Sequence, residues 1–282
     1  MTAPSERELR ELVRIARAAS DIVLSVYATP FEVEMKSPGD PVTEADKRAN
    51  DLLCREIAAS FPGECIVAEE DAPCTKDEMR ARTSRDRVFF VDPLDGTREF
   101  ADRCPEFSVM IGLAERGRAT LGALVMPTTG EALFGDARHP GTAILESKDG
   151  SRTPLRVTDL ADSSRGRLVV SRSRRPAFVA SMSARLRLAE ITPCGSVGVK
   201  IARVALAQAD LYVHGGGGIK SWDLCGPEAV LWAAGGRAST LDGQPVDYSG
   251  DVVHQKGFVG TNGMLHDQVV EAIREVGGLT GA

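Results

Sequence analysis

Two carboxylates three residues apart, Asp92 and Asp95, are the residues of this sequence best placed to do chemistry. They follow the apolar run 88–91, which is rich in β-branched and aromatic residues and therefore predicts a buried strand. A proline after Asp92 and the permissive Gly96 predict a sharp turn that brings both carboxylates to one point. Convergent carboxylates favour a hard cation, and Thr97 with the amides beyond the glycine would face an anion. A cation beside an anion pocket indicates phosphate chemistry.

Two other interpretations of this stretch have to be weighed. Aspartyl phosphatases carry an Asp-x-Asp-Gly-Thr pattern, in which one residue separates nucleophile and acid. Two residues separate Asp92 from Asp95, which argues against a covalent phospho-aspartate. An ordinary Asp-Pro turn followed by Asp-Gly stays open on this stretch alone, because such turns are common.

Further acids follow predicted element boundaries elsewhere in the chain. Thr43 is placed to cap a helix, which puts Asp46 in the first turn, where acids usually serve the helix dipole. The short apolar run 65–68 predicts a strand that ends on Glu69 and two more acids, a pattern that is often a solvated turn. Asp223 occupies a position typical of a helix N-cap. Each acid therefore has a structural explanation when it is considered alone.

Composition limits the classes of function. The chain has 282 residues, 43% of them apolar, and a formal charge of −6 without a long basic run. It is thus large enough for a substantial core, and neither nucleic acid nor an anionic membrane is an expected partner. The start of the chain lacks the apolar core of a signal peptide, and no 18-residue apolar stretch follows, so we expect a cytoplasmic protein without membrane insertion.

Cysteine and histidine usage narrows the choice of metal. The six cysteines include no Cys-x-x-Cys pair, and the four histidines form no cluster. We therefore expect reduced, mostly structural cysteines and no zinc site. Any metal should be bound by oxygen.

The predicted elements change character along the chain. A long amphipathic helix opens it, and antiparallel strands are predicted near 107–114, 119–126 and 132–136. The second half alternates strands with helices, which predicts an α/β layer arrangement. We therefore predict an α+β domain over 1–140 that carries most of the site acids, and an α/β domain over 141–282 that supplies Asp223 and substrate-binding residues.

Four motifs together resemble one family, the lithium-sensitive, magnesium-dependent phosphatases. This family includes the inositol monophosphatases and the 3'(2'),5'-bisphosphate nucleotidases. The resemblance spans nearly the whole chain and implies a layered αβαβα sandwich with the acids at the seam between two layers. The motifs occur in the family's order and approximate spacing, as Asp-Pro-Val-Thr-Glu-Ala-Asp at 40–46, Ala-Glu-Glu at 68–70, Asp-Pro-Leu-Asp-Gly-Thr at 92–97 and Trp-Asp at 222–223.

The resemblance also implies the ligands and their roles. One Mg²⁺ would be held by Glu69, Asp92 and the Leu94 carbonyl, and a second by Asp92, Asp95 and Asp223. Two ions are expected, with a weaker third ion in some members. The attacking water would be held or activated by Thr97, Asp46 and Glu69. The phosphate would be bound by the amides of Gly96 and Thr97. Oxygen ligands suit Mg²⁺, and a two-metal clamp suits in-line hydrolysis.

Details of the sequence favour one branch of the family. The run from Trp222 to Glu228 is closer to the Trp-Asp-x-x-Ala-Pro-Glu pattern of bisphosphate nucleotidases and inositol polyphosphate 1-phosphatases than to the Trp-Asp-x-x-Ala-Gly pattern of inositol monophosphatases, although Gly226 departs from both. Within this branch, the chain resembles the CysQ-type nucleotidases. That branch implies hydrolysis of 3'-phosphoadenosine 5'-phosphate to AMP and phosphate. The expected partner is thus a small phosphorylated substrate, an adenosine bisphosphate, and a homodimer stays open. The candidate substrate-binding residues are Gly96, Thr97, Arg172, Gly195, Ser196, Lys200 and Lys220.

Three alternatives remain at this stage. Inositol 1-phosphate and fructose 1,6-bisphosphate would suit the same metal scaffold. From another class, the chain could be a phosphate- or metal-binding regulator without catalysis.

The charged segment 71–87 is a candidate flap over the substrate.

Overall fold

The computed structural model, which describes residues 4–71, 75–172 and 176–279, combines helices with strands. The helices are α1 (Pro4–Tyr27), α2 (Glu44–Ser60), α3 (Lys76–Thr83), α4 (Thr97–Ala101), α5 (Ala177–Leu186), α6 (Val197–Ala205), α7 (Ser221–Ala233) and α8 (His266–Glu275). The strands are β1 (Val33–Ser37), β2 (Asp40–Thr43), β3 (Cys65–Ala68), β4 (Arg87–Asp95), β5 (Ser108–Glu115), β6 (Arg118–Met126), β7 (Glu131–Asp136), β8 (Ile144–Glu146), β9 (Arg152–Pro154), β10 (Arg167–Ser171), β11 (Glu190–Cys194), β12 (Leu211–His214), β13 (Arg237–Ser239) and β14 (Phe258–Thr261). In the described part of the chain, no helix has the length and apolar character needed to cross a membrane.

The larger sheet has seven strands in the order β3-β4-β5-β6-β7-β8-β9. Only β3 and β4 pair in parallel, and every later neighbour is antiparallel. The predicted antiparallel meander is therefore confirmed. Strands β8 and β9 extend this sheet to Pro154, and the division into domains at residue 140 stays a prediction.

The smaller sheet has five strands in the order β11-β10-β12-β14-β13. Strand β10 pairs in parallel with β11 and β12, whereas β14 is antiparallel to β12 and β13. Parallel neighbours need crossover connections, and helices α5 and α6 supply them. This arrangement is the α/β layer that the second half of the sequence predicts.

Five layers result from the packing of the helices. Helices α1 and α2 cover one face of the larger sheet, and their apolar stripes share a core with residues such as Phe89 and Ile111. Helices α6 and α7 lie between the two sheets. Helices α5 and α8 cover the far side of the smaller sheet. The predicted αβαβα sandwich is confirmed.

Three glycines set the distance between α7 and the larger sheet. A Cβ atom on Gly112 would lie 2.3 Å from the Gly226 nitrogen, and one on Gly122 would lie 2.1 Å from the Gly226 oxygen. A Cβ atom on Gly226 would itself lie 2.9 Å from the Ile111 oxygen. Backbone therefore packs on backbone at this point, which accounts for glycine at position 226.

Strand β4 corrects one expectation from the sequence. We predicted that the strand ends and the chain turns at Asp92, but β4 continues to Asp95. Asp92 pairs with Met110 and Asp95 with Ser108, so two residues on β4 lie opposite one residue on β5. Because Pro93 has no N–H to donate, the ladder is interrupted there without a reversal of the chain. The result is a bulge that carries both aspartates.

Candidate active site

An acidic cluster lies where β3, β4 and α7 meet. Strand β3 runs parallel to β4 with Ala68 opposite Val91, so both strands end at the same edge. The Glu69 amide continues this pairing by donating to the Val91 carbonyl at 3.0 Å. Asp92 and Asp95 follow on the bulge and are 1% and 8% exposed, which leaves two nearly buried carboxylates at the sheet edge.

The electrostatics of the cluster show that its members interact. Burial raises the pKa of Asp92 well above its ordinary value, and Glu69, Asp95 and Asp223 raise it further. Burial also raises the pKa of Asp223, with the charges of Glu69 and Asp95 adding to the effect. Burial raises the pKa of Glu69, although Lys36 and Lys220 oppose the rise. Buried, mutually repelling carboxylates are the donor set that a hard divalent cation stabilises.

The cluster is not, as it stands, a closed set of ligands. In the part of the chain that the structure describes, no three His, Cys, Asp or Glu side chains are arranged to hold a metal ion together. Local hydrogen bonds engage one oxygen of each aspartate: the Leu94 amide bonds Asp92 at 3.0 Å, and the Lys220 amide bonds Asp223 at 2.7 Å. The donor types fit Mg²⁺, and the assignment of Glu69, Asp92, Leu94, Asp95 and Asp223 as ligands stays a prediction.

Asp95 connects β4 to the start of α6. Its Oδ2 accepts hydrogen bonds from the Ser196 hydroxyl and from the Gly198 amide, the latter at 2.6 Å. Ser196 also caps α6, because its hydroxyl accepts from the Val199 amide at 3.0 Å. The candidate substrate residue Ser196 thus contacts the candidate metal ligand Asp95 directly.

Asp223 differs from its predicted position. We predicted a helix N-cap, but the N-cap of α7 is Lys220, and Asp223 is the third residue of the helix. The helix begins earlier because the Ser221 amide donates to the Val252 carbonyl at 2.8 Å and fixes the preceding loop. Asp223 therefore still lies in the first turn, where the helix dipole favours negative charge.

Gly96 and Thr97 lie at the start of the short helix α4. Gly96 has φ of 97°, and a Cβ atom there would lie 3.0 Å from the Glu106 carbonyl oxygen, so glycine is required. Thr97 donates to Asp46 Oδ1 or to the Leu94 carbonyl, each at 3.0 Å. The structure thus brings Asp46, Thr97 and Leu94 together. Their roles with water and phosphate stay predictions.

The cationic candidates lie in different environments. Arg172 is exposed and pairs with Glu106 at 2.7 Å. Lys200 is 3% exposed, and its Nζ lies 3.5 Å from the Cys194 carbonyl and 5.3 Å from the centre of the Tyr212 ring. Lys220 Nζ lies 5.1 Å from the centre of the Trp222 ring. Burial lowers the pKa of Lys200, although Asp95 opposes that shift.

Two charged residues at the site, Lys36 and Glu106, were not identified from the sequence. Lys36 on β1 pairs with Glu70 at 2.6 Å and with Glu69 at 3.4 Å. Glu106 accepts hydrogen bonds from Arg172, from Arg203 at 3.0 Å and from the amide of the candidate residue Gly195 at 2.7 Å. These contacts join segments far apart in sequence, so no local pattern signals them.

The structure describes part of the candidate flap and five of the six cysteines. The candidate flap contains α3, whose Arg80 pairs with Asp251 at 2.8 Å. Ser173 and Cys74 lie outside the described residues. The five cysteines within them, Cys54, Cys65, Cys104, Cys194 and Cys225, are all free thiols.

Tyr212 Oη and Trp222 Nε1 are buried and have no hydrogen-bond partner among the described residues. The charges of Asp95 and Asp223 both act on the Tyr212 hydroxyl, so it lies on the side of the smaller sheet that faces the cluster. Trp222 directly precedes Asp223 in α7. Unpaired buried donors are costly, which makes both groups available to a bound polar ligand.

Comparison with known proteins gives the family. The sequence profile of the inositol monophosphatase family matches residues 5–277. The 3'(2'),5'-bisphosphate nucleotidase CysQ of Escherichia coli K12 is 32% identical, over 86% of this chain and 94% of its own length. The 3'-phosphoadenosine 5'-phosphate phosphatase of Mycobacterium tuberculosis is 31% identical, over 82% of this chain and 80% of its own length.

Solved structures agree with the profile. The IMPase of Thermotoga maritima aligns with a TM-score of 0.78 and 26% identity, over 96% of this chain and 98% of its own. CysQ from Bacteroides thetaiotaomicron aligns with a TM-score of 0.74 over 91% of this chain and 97% of its own, and its 22% identity shows the fold alone. The chain therefore belongs to the inositol monophosphatase family and is a phosphatase of that family.

Proposed function

We propose that this chain is a Mg²⁺-dependent phosphomonoesterase that hydrolyses the 3'-phosphate of 3'-phosphoadenosine 5'-phosphate, giving AMP and phosphate. The observation that carries the proposal is the acidic cluster formed by the buried Asp92 and Asp95 with the half-buried Glu69 and Asp223, and the hydroxyl and ammonium groups beside it. The names of the curated relatives from Escherichia coli and Mycobacterium tuberculosis support this choice of substrate.

The proposed ligands divide between two sites that share Asp92. Glu69, Asp92 and the Leu94 carbonyl would hold one Mg²⁺, and Asp92, Asp95 and Asp223 would hold the other. When bound, the ions would supply a water of lowered pKa and positive charge against the phosphoryl oxygens. Asp95 suits this role because its Oδ2 is oriented by Ser196 and Gly198, so the carboxylate is held in place before a ligand arrives.

Thr97 and Asp46 are proposed to take up the proton that the attacking water loses. The Thr97 hydroxyl donates to Asp46 Oδ1, and its oxygen can accept a hydrogen bond in return. The water oxygen forms the new bond to phosphorus, the bond from phosphorus to the 3'-oxygen breaks, and solvent protonates the leaving oxygen. The water proton passes by way of Thr97 to Asp46. Burial raises the pKa of Asp46, which favours its acting as the acceptor.

Recognition of the second phosphate is proposed for the cationic residues near α6. Arg172 presents a guanidinium at the surface, and Lys200 lies beneath the turn formed by Gly195 and Ser196. A guanidinium can bind a phosphate through two hydrogen bonds, and Lys220 can act as a point charge. The ion count, a cytoplasmic location and a homodimer stay predictions.

A second candidate function is inositol 1-phosphate hydrolysis. The similarity to the Thermotoga maritima IMPase favours it, and the proposed metal ligands would be the same. The two functions differ only in the substrate pocket, because inositol 1-phosphate has no second phosphate.

A comparison of substrates tests the proposal. We would measure phosphate release with Mg²⁺ from 3'-phosphoadenosine 5'-phosphate, 3'-AMP, inositol 1-phosphate and fructose 1,6-bisphosphate. The expected kcat/KM for the bisphosphate nucleotide exceeds each of the others by about tenfold or more. Asp95→Asn should lose most of the activity, whereas Asp149→Asn, in an exposed turn, should keep it. A preference for inositol 1-phosphate would overturn the substrate, and full activity of Asp95→Asn would overturn the site.

A further inference from the structure

A cavity lies at the end of α7 opposite to Asp223. It has a volume of about 430 Å³ and is lined by residues of β6, the segment after β7, α7, β13 and the loop that follows. This volume is in the range of small-molecule sites. None of the residues assigned to metal, water or substrate lines it.

A buried acceptor and an aromatic ring form the inner part of this cavity. Glu228 is 7% exposed and accepts hydrogen bonds from the Tyr248 hydroxyl and from Trp232 Nε1, the latter at 3.3 Å. A carboxylate can accept about four hydrogen bonds, so acceptor capacity remains. Burial raises the pKa of Glu228 to about 7, which allows it either to accept or to donate near neutral pH. Trp232 is half-buried and offers an apolar surface.

Three arginines, Arg118, Arg138 and Arg237, also line the cavity, and they are not equally neutralised. Arg138 pairs with Asp136 at 2.9 Å and with Glu115 at 2.6 Å. Arg237 pairs at 2.8 Å with Asp267, whose side chain is 85% exposed, so this pair is weak.

Within the described ranges, Arg118 has no carboxylate in direct contact, although the charges of Glu228 and Asp247 act on it. It donates to the Val246 carbonyl at 2.7 Å, and among the described residues no Asp or Glu oxygen lies within 4.0 Å of its guanidinium. Because three arginines and one carboxylate, that of Glu228, line the cavity, positive charge exceeds negative charge among its lining residues.

We propose that this cavity binds a planar, anionic heteroaromatic ligand that carries an N–H donor, of the class of purine nucleoside monophosphates. The base would pack against Trp232 and donate to Glu228, and the phosphate would contact Arg118 and Arg237. Aromatic stacking and charge-assisted hydrogen bonds suit these two parts of the ligand. The inference does not depend on the proposed function, because the catalytic residues take no part in it.

The position of the two tryptophans makes the site testable. The chain has two tryptophans, Trp232 in this cavity and Trp222 beside the acidic cluster. We would titrate AMP into the full chain in Mg²⁺-free buffer and record tryptophan fluorescence and heat. We expect saturable quenching that Trp232→Phe abolishes, while calorimetry shows that this variant still binds AMP, since phenylalanine keeps an aromatic surface.

Charge and ligand variants complete the test. Arg118→Ala should weaken AMP binding by about tenfold, and Arg237→Ala should also weaken it. The matched control is Arg185→Ala, which removes a surface arginine paired with Glu275 at 2.7 Å and should leave the affinity unchanged. Adenosine and inorganic phosphate should each bind about tenfold more weakly than AMP.

Three results would overturn the inference. The first is the absence of any saturable binding of AMP. The second is quenching that survives in Trp232→Phe, which would place AMP at the catalytic site. The third is an unchanged affinity in both Arg118→Ala and Arg237→Ala, with circular dichroism confirming that the variants are folded. Failure of the proposed hydrolysis would leave these results unaffected.

Discussion

The Thr97 hydroxyl lies 3.0 Å from Asp46 Oδ1, while Asp46 Oδ2 accepts from the amide of Thr43 at 2.8 Å. One carboxylate therefore closes the capping box of α2 and also contacts the helix that follows the acidic bulge. Because the two oxygens have different partners, the structural and the proposed catalytic parts of Asp46 can be separated by experiment.

The first prediction concerns Asp46→Asn. An asparagine oxygen can still accept from the Thr43 amide, but the side chain loses its charge and its ability to take up a proton. We expect kcat to fall by about 100-fold, as for loss of a general base, with a stability loss of about 1 kcal/mol or less. Steady-state kinetics with 3'-phosphoadenosine 5'-phosphate and thermal unfolding measure the two effects.

A second capping box supplies the control for that experiment. In α3, Glu78 is the third residue and accepts from the Thr75 amide at 2.7 Å, as Asp46 does from Thr43 in α2. Glu78→Gln should therefore affect its helix in the same way and leave kcat unchanged. Equal kcat in Asp46→Asn and the wild type would show that the carboxylate serves the helix alone.

The site shows which features a sequence can and cannot predict. Local signals placed Asp46 in the first turn of a helix and Glu69 at the end of a short strand, because a helix cap and a strand end are encoded by neighbouring residues. The family resemblance joined these positions to Asp92 and Asp223. Contacts such as Lys36 with Glu70 were missed, since they depend on how a hairpin folds over a distant strand end. The bulge in β4 was missed because it appears only against its partner strand.

Gly226→Ala tests the close packing of α7 on the larger sheet. The added methyl group would lie 2.9 Å from the Ile111 carbonyl oxygen, so the helix or the sheet must shift. We expect a loss of about 2 kcal/mol in the free energy of unfolding, as for an overpacked core. Chemical denaturation measures it. The matched control is Gly250→Ala, where a Cβ atom would meet nothing within 4 Å, and a loss no larger than in this control would contradict the packing argument.

The pairing of Lys36 with the site predicts an effect on Mg²⁺. Its ammonium lies 3.4 Å from Glu69, so it offsets part of the negative charge that a cation would otherwise meet. If Glu69 is a ligand, as we propose, Lys36→Met should lower the Mg²⁺ concentration for half-maximal activity by about threefold. Lys47→Met removes an ammonium that pairs with Glu34 at 2.7 Å and should change nothing. A higher Mg²⁺ requirement in Lys36→Met would mean that Lys36 orients Glu69 instead.

His266 predicts how stability depends on pH. Its side chain is fully buried, and its ring nitrogens contact the Thr261 hydroxyl at 3.1 Å and the Ser239 hydroxyl at 2.9 Å. Burial lowers the pKa of His266 from 6.5 to about 4, with the nearby Arg237 acting in the same direction. Between these values the unfolded chain binds a proton that the folded chain excludes, so this contribution to stability is present above pH 6.5 and is lost as the pH falls towards 4.

Chemical denaturation of the wild type and of His266→Gln from neutral pH down to about pH 5 tests this dependence. The full contribution is on the order of 3 kcal/mol, and part of it should disappear over this range. His266→Gln should be less stable at neutral pH but should lose less stability on acidification, because glutamine does not titrate in this range.

His139→Gln is the control, since the side chain of His139 is 66% exposed. Because His254 is also buried with a pKa lowered by burial to about 4, His266→Gln should reduce the acid sensitivity without abolishing it. Equal pH dependence in His266→Gln and the wild type would show that His266 is not a source of the acid sensitivity.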